Sequence, residues 1–196
     1  MPPGASAARP RFARGFAGEK AAPPPRTHGS AVALGVAERN VLLRACAAAG
    51  ETGRALDELE AMIAGVHGPA AAPDLESFNV VIFALAVLDG AVLEAEDLLV
   101  RMVALGGAPS ARTMNHFCDA YLLHRRGDGH TPAVSMVQSC FNQHGVRPQA
   151  RRLARLVESA LESGDVYEAR RAALVLAQLY PEAESWPVWA RAFAEE

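Results

Sequence analysis

Apolar residues recur with the same spacing in four successive blocks of the chain after residue 30. The blocks align on four positions, which are 39, 36 and 39 residues apart: Asn40, Asn79, Asn115 and Ala154. In every block the residues two, three and six places later are apolar: Leu42, Leu43 and Cys46; Val81, Ile82 and Leu85; Phe117, Cys118 and Tyr121; Leu156, Val157 and Ala160. Residues with this spacing share one face of an α-helix. The pattern therefore predicts an amphipathic helix at the start of each block.

A glycine and a second apolar pattern complete each block. The glycine comes ten to twelve residues after the alignment position, where a helix would end: Gly50, Gly90, Gly127 and Gly164. A small residue with an apolar residue seven places later marks a second helix: Ala55 with Met62, Ala95 with Met102, Ala133 with Cys140, and Ala169 with Leu176. Three blocks end on proline and a polar residue, and Asp74 or Ser110 at that place can cap the next helix. Each block is thus predicted to be an antiparallel helix pair.

Four helix pairs in a row predict an all-α fold. One pair cannot bury its apolar face alone, so successive pairs stack into an α-solenoid with a continuous core. The predicted repeats are residues 36–74, 75–110, 111–149 and 150–182, within a body of residues 31–184. Residues 185–196 carry an aromatic stripe at Trp186, Trp189 and Phe193. We expect this segment to form a C-terminal capping helix that seals the last repeat.

The segment Ser77–Gly90 raises a question about Asn79. Its amide stands in front of nine uninterrupted apolar residues, 80–88, which stop at Asp89 and Gly90. A helix that spans a bilayer needs about twenty apolar residues, so we expect no membrane span. The chain has four asparagines, and three of them occupy the alignment position of a repeat. Two interpretations remain open: the amides bond free backbone groups at a helix start, or they bind a ligand.

Charge is unevenly distributed along the 196 residues, although the net formal charge is only −3. Residues 1–30 carry five basic residues and one acid, residues 31–110 carry four arginines and eleven acids, and residues 111–196 carry ten of each. The first half of the repeats should therefore repel a nucleic-acid backbone. The apolar content of 51% is enough for one core, and the aromatic content of 6% suits closely packed helices.

The first 30 residues differ in composition from the rest of the chain. They contain six prolines and few apolar residues, a composition that does not pack a core. Two interpretations remain open: a disordered basic arm, or an organelle presequence, since presequences are rich in Arg and poor in acids. Serine is scarce here, so the presequence interpretation favours the mitochondrion over the chloroplast.

The units resemble pentatricopeptide repeats. They share the aromatic-Asn start of the first helix, the glycine in mid-repeat, the Glu-Ala of the second helix and the closing proline. Residues 75–110 (LESFNVVIFALAVLDGAVLEAEDLLVRMVALGGAPS) are the most similar unit, and GVRPQ at 145–149 is a further match. The resemblance covers residues 36–179 and implies a right-handed α-solenoid that binds RNA. Tetratricopeptide repeats are the nearest alternative, but their Trp, Leu-Gly and Tyr pattern is missing from the first helices.

In the pentatricopeptide family, an early residue of the first helix and the last residue of the repeat together read one RNA base. The resemblance therefore implies three reader pairs: Asn40 with Asp74, Asn79 with Ser110, and Asn115 with Gln149. It implies uracil for the first pair and cytosine for the second, and it gives no clear base for the third. Ala154 has no hydrogen-bonding group, so the fourth unit is expected to read nothing.

Charged residues accompany the predicted readers. The resemblance places the residues that flank each base at Ala37, Glu76 and Arg112, where the family usually has an apolar residue, and Glu76 is unfavourable beside phosphate. Arginines of the second half are expected to contact phosphate in a salt-dependent way. These are Arg125, Arg126, Arg147, Arg151, Arg152 and Arg155. Arg112 and Arg151 complete the candidate RNA contacts.

Other chemistry finds little support in the sequence. Cys46, Cys118 and Cys140 are odd in number, and their spacing suggests buried thiols rather than a disulfide framework or a metal knuckle. The histidines and cysteines of residues 116–144 lack paired ligand spacing, and no phosphate loop, nucleophile elbow or dinucleotide fingerprint is present. We therefore expect no enzyme, no cofactor, no metal and no small-molecule substrate.

Two functional hypotheses follow. The first is a non-enzymatic adaptor that contacts single-stranded organelle RNA together with protein subunits of a larger ribonucleoprotein, such as an organelle ribosome. The second is a purely structural scaffold subunit that binds other proteins through the same surface and reads no base.

Overall fold

The computed structural model describes residues 34–124 and 133–181, which form eight α-helices without a β-strand. The predicted all-α fold is therefore confirmed for this part of the chain. The basic arm of residues 1–30, the predicted helix end at Gly127 and the predicted capping helix of residues 185–196 lie outside the described residues. No helix in the described ranges is long and apolar enough to cross a membrane.

The helices follow one another in pairs with short connections. Their bounds are α1 (Val36–Ala48), α2 (Thr52–Ile63), α3 (Leu75–Phe83), α4 (Val92–Ala104), α5 (Ala111–Leu123), α6 (Ala133–His144), α7 (Ala150–Glu162) and α8 (Val166–Leu179). A short 3₁₀ turn at Pro69–Ala71 precedes α3. The alignment position of each repeat is the fifth residue of its first helix, in α1, α3, α5 and α7 alike.

The first helices form the central layer of the solenoid. Helix α1 packs against α3, α3 against α5, and α5 against α7, while each second helix packs against the first helix of its own pair. The apolar stripes meet in two clusters on the two sides of α5: Phe117 belongs to the cluster of the first two units, and Cys118 belongs to that of the last. All three cysteines are buried and free. Helix α5 thus joins the two halves of the core.

Helix α3 ends in a π-helical segment, Ala84–Asp89. In the second unit Gly90 comes eleven positions after Asn79, whereas in the first Gly50 comes ten positions after Asn40. A π turn absorbs one extra residue without breaking the helix, so the insertion explains the segment. The segment ends at Gly90, which has a positive φ of 72°, and His124 Nε2 lies 2.7 Å from the carbonyl oxygen of Val87. Since that carbonyl can only accept, Nε2 of His124 carries the proton.

Candidate nucleic-acid interface

The three aligned asparagines are buried where one repeat meets the next. Asn40, Asn79 and Asn115 expose only 5%, 3% and 8% of their surface. Each amide oxygen accepts a hydrogen bond from the start of the first helix in the following repeat. A buried amide needs hydrogen-bond partners, and each junction between repeats supplies them. This common environment explains why an asparagine recurs at the same position.

Asn40 joins the first unit to the second through both halves of its amide. Its Nδ2 donates to Oδ1 of Asp74 at 3.0 Å, and its Oδ1 accepts from the Ser77 hydroxyl at 2.6 Å. Asp74 and Ser77 in turn form a capping box at the start of α3, in which each side chain accepts from the backbone N–H of the other, at 2.9 and 3.1 Å. The first predicted reader pair is therefore in direct contact.

Hydrogen bonds keep the carboxyl group of Asp74 ionised. Burial raises the pKa of Asp74, but bonds from the backbone N–H of Ser77, from the Asn40 amide and from the backbone N–H of Glu76 outweigh it. The pKa of Asp74 consequently lies below its ordinary value. At neutral pH this side chain is an acceptor beside the Asn40 amide.

Asn79 repeats the junction between the second and third units. Its Oδ1 accepts from the Thr113 hydroxyl at 2.6 Å. Thr113 and Ser110 form the capping box of α5, with the Thr113 N–H donating to Ser110 Oγ at 3.2 Å and the Ser110 N–H to Thr113 Oγ1 at 3.0 Å. The second predicted pair, Asn79 and Ser110, is thus linked through Thr113.

Asn115 also accepts a hydrogen bond from the next repeat, but its donor is a backbone N–H instead of a hydroxyl. The third residue of α7 is Arg152, so no capping box forms there, and Gln149 makes no side-chain cap. Instead, the backbone N–H of Gln149 donates directly to Asn115 Oδ1 at 2.9 Å. The Gln149 side chain accepts from Arg151 Nε at 2.9 Å. The third predicted pair is again adjacent, but only through the backbone of Gln149.

The two halves of these amides therefore have different surroundings. All three oxygens are used by the fold. The Nδ2 groups of Asn79 and Asn115 have no hydrogen-bond partner within residues 34–124 and 133–181, and neither is a fully enclosed atom. Two N–H₂ donors thus remain beside the caps Ser110 and Gln149.

Two of the three flanking positions, Glu76 and Arg112, belong to an ion-pair network instead of carrying apolar side chains. Oε1 of Glu76 lies 3.1 Å from Nη1 of Arg44, and Oε2 lies 2.9 Å from Nη1 of Arg112. One carboxylate therefore bridges arginines of the first and third units. The sequence predicts that the charge of Glu76 is unfavourable beside phosphate. In the structure that charge is opposed by two guanidinium groups.

Helices α5 and α7 carry a second charged contact around a buried imidazole. Arg152 forms an ion pair with Asp119, and the Nε2 atom of His116 is buried without a partner in the described part of the chain. The His116 ring lies 5.1 Å from that of Phe83, at an interplanar angle of 57°. Burial, followed by the charges of Arg112 and Arg152, lowers the pKa of His116 to about 4. His116 is therefore neutral at physiological pH.

The remaining predicted phosphate contacts are dispersed. Arg147 donates to the carbonyl of Leu179 at 2.7 Å and lies over the ring of Tyr180, so it ties the third unit to α8. Arg151 and Arg155 are exposed on α7, whereas Arg125 and Arg126 lie outside the described residues. No group of three or more residues of the metal-binding types His, Cys, Asp and Glu comes together in the described ranges.

Three residues of this interface were not predicted from the sequence: Ser77, Thr113 and Arg44. A signal for the hydroxyls existed, because Asp74 and Ser110 are each followed three places later by a hydroxyl residue. That spacing is a variant of the capping box. No comparable signal marks Arg44, which is one of several exposed arginines.

The solved structures contain a match for this fold. The crystal structure of the pentatricopeptide repeat protein PPR10 from maize matches 84% of this chain, with a TM-score of 0.61 and 24% sequence identity. The fold is a pentatricopeptide-repeat solenoid. The chain spans only 21% of the length of PPR10. No protein-family profile and no curated protein matches the sequence.

Proposed function

We propose that the protein is a non-enzymatic helical-repeat adaptor that contacts single-stranded RNA along the junctions between its first helices. The observation that carries this proposal is the recurrence of a buried asparagine beside the cap of the next helix at three successive junctions. Repeat proteins that read RNA use two or three side chains per base, one repeat for each base. The junctions supply such pairs in register.

The Nδ2 groups are the atoms that we assign to base recognition. At the second junction the Asn79 N–H₂ donor lies beside the Ser110 cap, and at the third the Asn115 N–H₂ donor lies beside Gln149. Each can donate to a carbonyl or ring-nitrogen acceptor on the Watson–Crick edge of a base. At the first junction the donor is engaged by Asp74, so a base must share or replace that contact.

The energetics favour a role inside a larger assembly. Each stacked base contributes about 1–3 kcal/mol, so three bases give about 3–9 kcal/mol before costs. Association costs about 4–15 kcal/mol in lost freedom and ordering. Three reading units are therefore too few for tight binding by themselves. We infer that other subunits of an organelle ribonucleoprotein, such as an organelle ribosome, hold the RNA in place, with the mitochondrion as the favoured compartment and the chloroplast as the alternative.

The experiment measures fluorescence anisotropy with short RNAs that differ in one base. Asn115→Asp keeps the oxygen that accepts from Gln149 and removes the N–H₂ donor. Asn142→Asp on α6 is the matched control, because this fourth asparagine is exposed and its substitution adds the same negative charge. We expect Asn115→Asp to reduce the differences in affinity between RNAs that differ in the base at one position. The control should lower the affinity for all RNAs equally or leave it unchanged. Equal effects of the two variants would rule out base reading by Asn115.

A protein scaffold is the second candidate. It is favoured by the use of all three amide oxygens in the fold, which explains the asparagines without any ligand. In that case the chain should stay in a stable protein complex after nuclease treatment, and neither Asn115→Asp nor Asn79→Asp should alter that complex.

A further inference from the structure

Glu76 holds two arginines from different repeats on one carboxylate. Arg44 belongs to α1, Glu76 to α3 and Arg112 to α5, and each arginine contacts a separate oxygen of Glu76, at 3.1 and 2.9 Å. The three side chains are half-exposed, with 50%, 31% and 57% of their surfaces open to solvent. The network thus lies at the surface, where a soluble anion can reach it.

The position of the network relates it to the asparagine junctions. Arg44 lies four residues after Asn40, Glu76 lies three residues before Asn79, and Arg112 three residues before Asn115. Residues three or four apart on a helix share a face. The two guanidinium groups therefore flank the row of asparagines along which we propose that RNA runs.

We propose that Arg44 and Arg112 form a binding site for one backbone phosphate, and that the Glu76 carboxylate occupies it when RNA is absent. A phosphodiester group has two non-bridging oxygens and one negative charge, so it can bridge two guanidinium groups as the carboxylate does. Glu76 is then a tethered competitor that lowers the affinity of the surface for RNA. This inference rests on the proposed function.

Replacing the Glu76 carboxylate with a phosphate between the two arginines costs little free energy. Ion pairs between half-exposed side chains contribute little to stability, because water screens them and the side chains lose freedom. A phosphate can therefore displace the carboxylate, but the displaced Glu76 stays nearby and repels it. Removal of the charge at position 76 frees both arginines and abolishes that repulsion.

The test compares the wild type with Glu76→Gln for binding of a twelve-nucleotide oligouridine across a range of salt concentrations. We expect Glu76→Gln to bind about five- to tenfold more tightly at low salt. The plot of log affinity against log salt should become steeper by about 0.7, because one more phosphate of a single strand is neutralised. Glu60→Gln is the matched control, since Glu60 pairs with Arg101 between α2 and α4, away from the asparagines, with similar exposure.

The outcomes separate this inference from the proposed function. Tighter binding by Glu76→Gln that disappears in Arg44→Gln/Glu76→Gln/Arg112→Gln supports it, even if the wild type itself binds no RNA. Binding by the wild type that is unchanged or weakened by Glu76→Gln overturns the inference and leaves RNA binding intact. An equal gain in Glu60→Gln overturns it as well, because net charge alone would explain the effect. Absence of binding by every variant at low salt overturns both proposals.

Discussion

The hydroxyl of Thr113 donates a hydrogen bond of 2.6 Å to the amide oxygen of Asn79, and this bond joins two repeats. The same hydroxyl accepts from the backbone N–H of Ser110, so one atom both caps α5 and fixes the neighbouring helix. Ser77 does the same for Asn40 and Asp74. Helix capping and the stacking of repeats are therefore coupled at each of these junctions, and damage to one should damage the other.

The first prediction concerns Thr113→Val. The change preserves shape but leaves the buried oxygen of Asn79 without its donor and the N–H of Ser110 without its acceptor. A buried polar group that loses its partner costs about 1–3 kcal/mol, and we expect a loss of that size in the free energy of unfolding, measured by urea denaturation. Thr52→Val is the matched control, because the Thr52 hydroxyl is buried and has no partner among the described residues. An equal loss in the two variants would contradict the role assigned to Thr113.

The second prediction concerns the coupling of Asn40 with Ser77. Ser77→Ala removes the donor to Asn40 and half of the capping box. In Asn40→Ala the Ser77 hydroxyl can still donate to Oδ1 of Asp74, which lies 3.0 Å away. In a double-mutant cycle of urea denaturation, we expect an interaction energy of about 0.5–3 kcal/mol. Strict additivity of the two single changes would show that the junction bond contributes nothing to stability.

The sequence predicts the helix pairs well because their signals are local. The apolar stripe, Gly50 or Gly90 after it, and the caps Asp74 and Ser110 each act within a few residues, and the structure contains each of them. The sequence also predicts that the three asparagines are equivalent, since this depends only on the repeat spacing. It does not predict their surroundings. The partner of each amide oxygen lies 34 to 37 residues away, and only the stacking of repeats brings the two together.

The features that escaped prediction have physical reasons. The sequence does not show whether the extra residue before Gly90 extends the helix or the turn; in the structure it lies in a π segment that packs against α5. The partners of Glu76 could not be predicted because long charged side chains on neighbouring repeats have several candidate partners. The predicted reader pairs are adjacent, and base recognition by them remains a prediction.

The third prediction concerns the pH dependence of stability. The pKa of His116 is about 4 in the folded protein, below the ordinary value of 6.5, because the ring is buried and faces Arg112 and Arg152, with Glu76 opposing them weakly. Between these two values the unfolded chain binds a proton that the folded chain does not. The free energy of unfolding should therefore fall by about 1–2 kcal/mol from pH 7 to pH 5 on account of His116.

Urea denaturation at both pH values checks this prediction. In His116→Gln we expect the difference between pH 7 and pH 5 to shrink by that amount. His144→Gln on α6 is the matched control, because it makes the same substitution at an exposed histidine. If His116→Gln retains the full pH dependence, the ring is protonated in the fold and its buried Nε2 has found an acceptor.

The fourth prediction concerns the end of the π-helical segment. Gly50 and Gly90 end the first helices of two repeats with the same φ of 72°, a conformation that costs alanine about 1–2 kcal/mol. At Gly50 a Cβ atom meets nothing within 4 Å, whereas at Gly90 it would lie 2.9 Å from Nδ1 of His124. The imidazole cannot move aside freely because its Nε2 donates to the carbonyl of Val87 at 2.7 Å. We therefore expect Gly90→Ala to lower the free energy of unfolding by about 1–3 kcal/mol more than Gly50→Ala does.

Thermal and urea denaturation of both variants give the difference, and His124→Ala identifies its source. In the His124→Ala background the clash is gone, so Gly90→Ala should then cost no more than Gly50→Ala. An excess cost of Gly90→Ala that persists without the imidazole would locate the strain in the π-helical backbone itself. Equal costs of the two glycine substitutions in the wild-type background would mean that the His124 ring moves away from the carbonyl of Val87 at little cost in free energy.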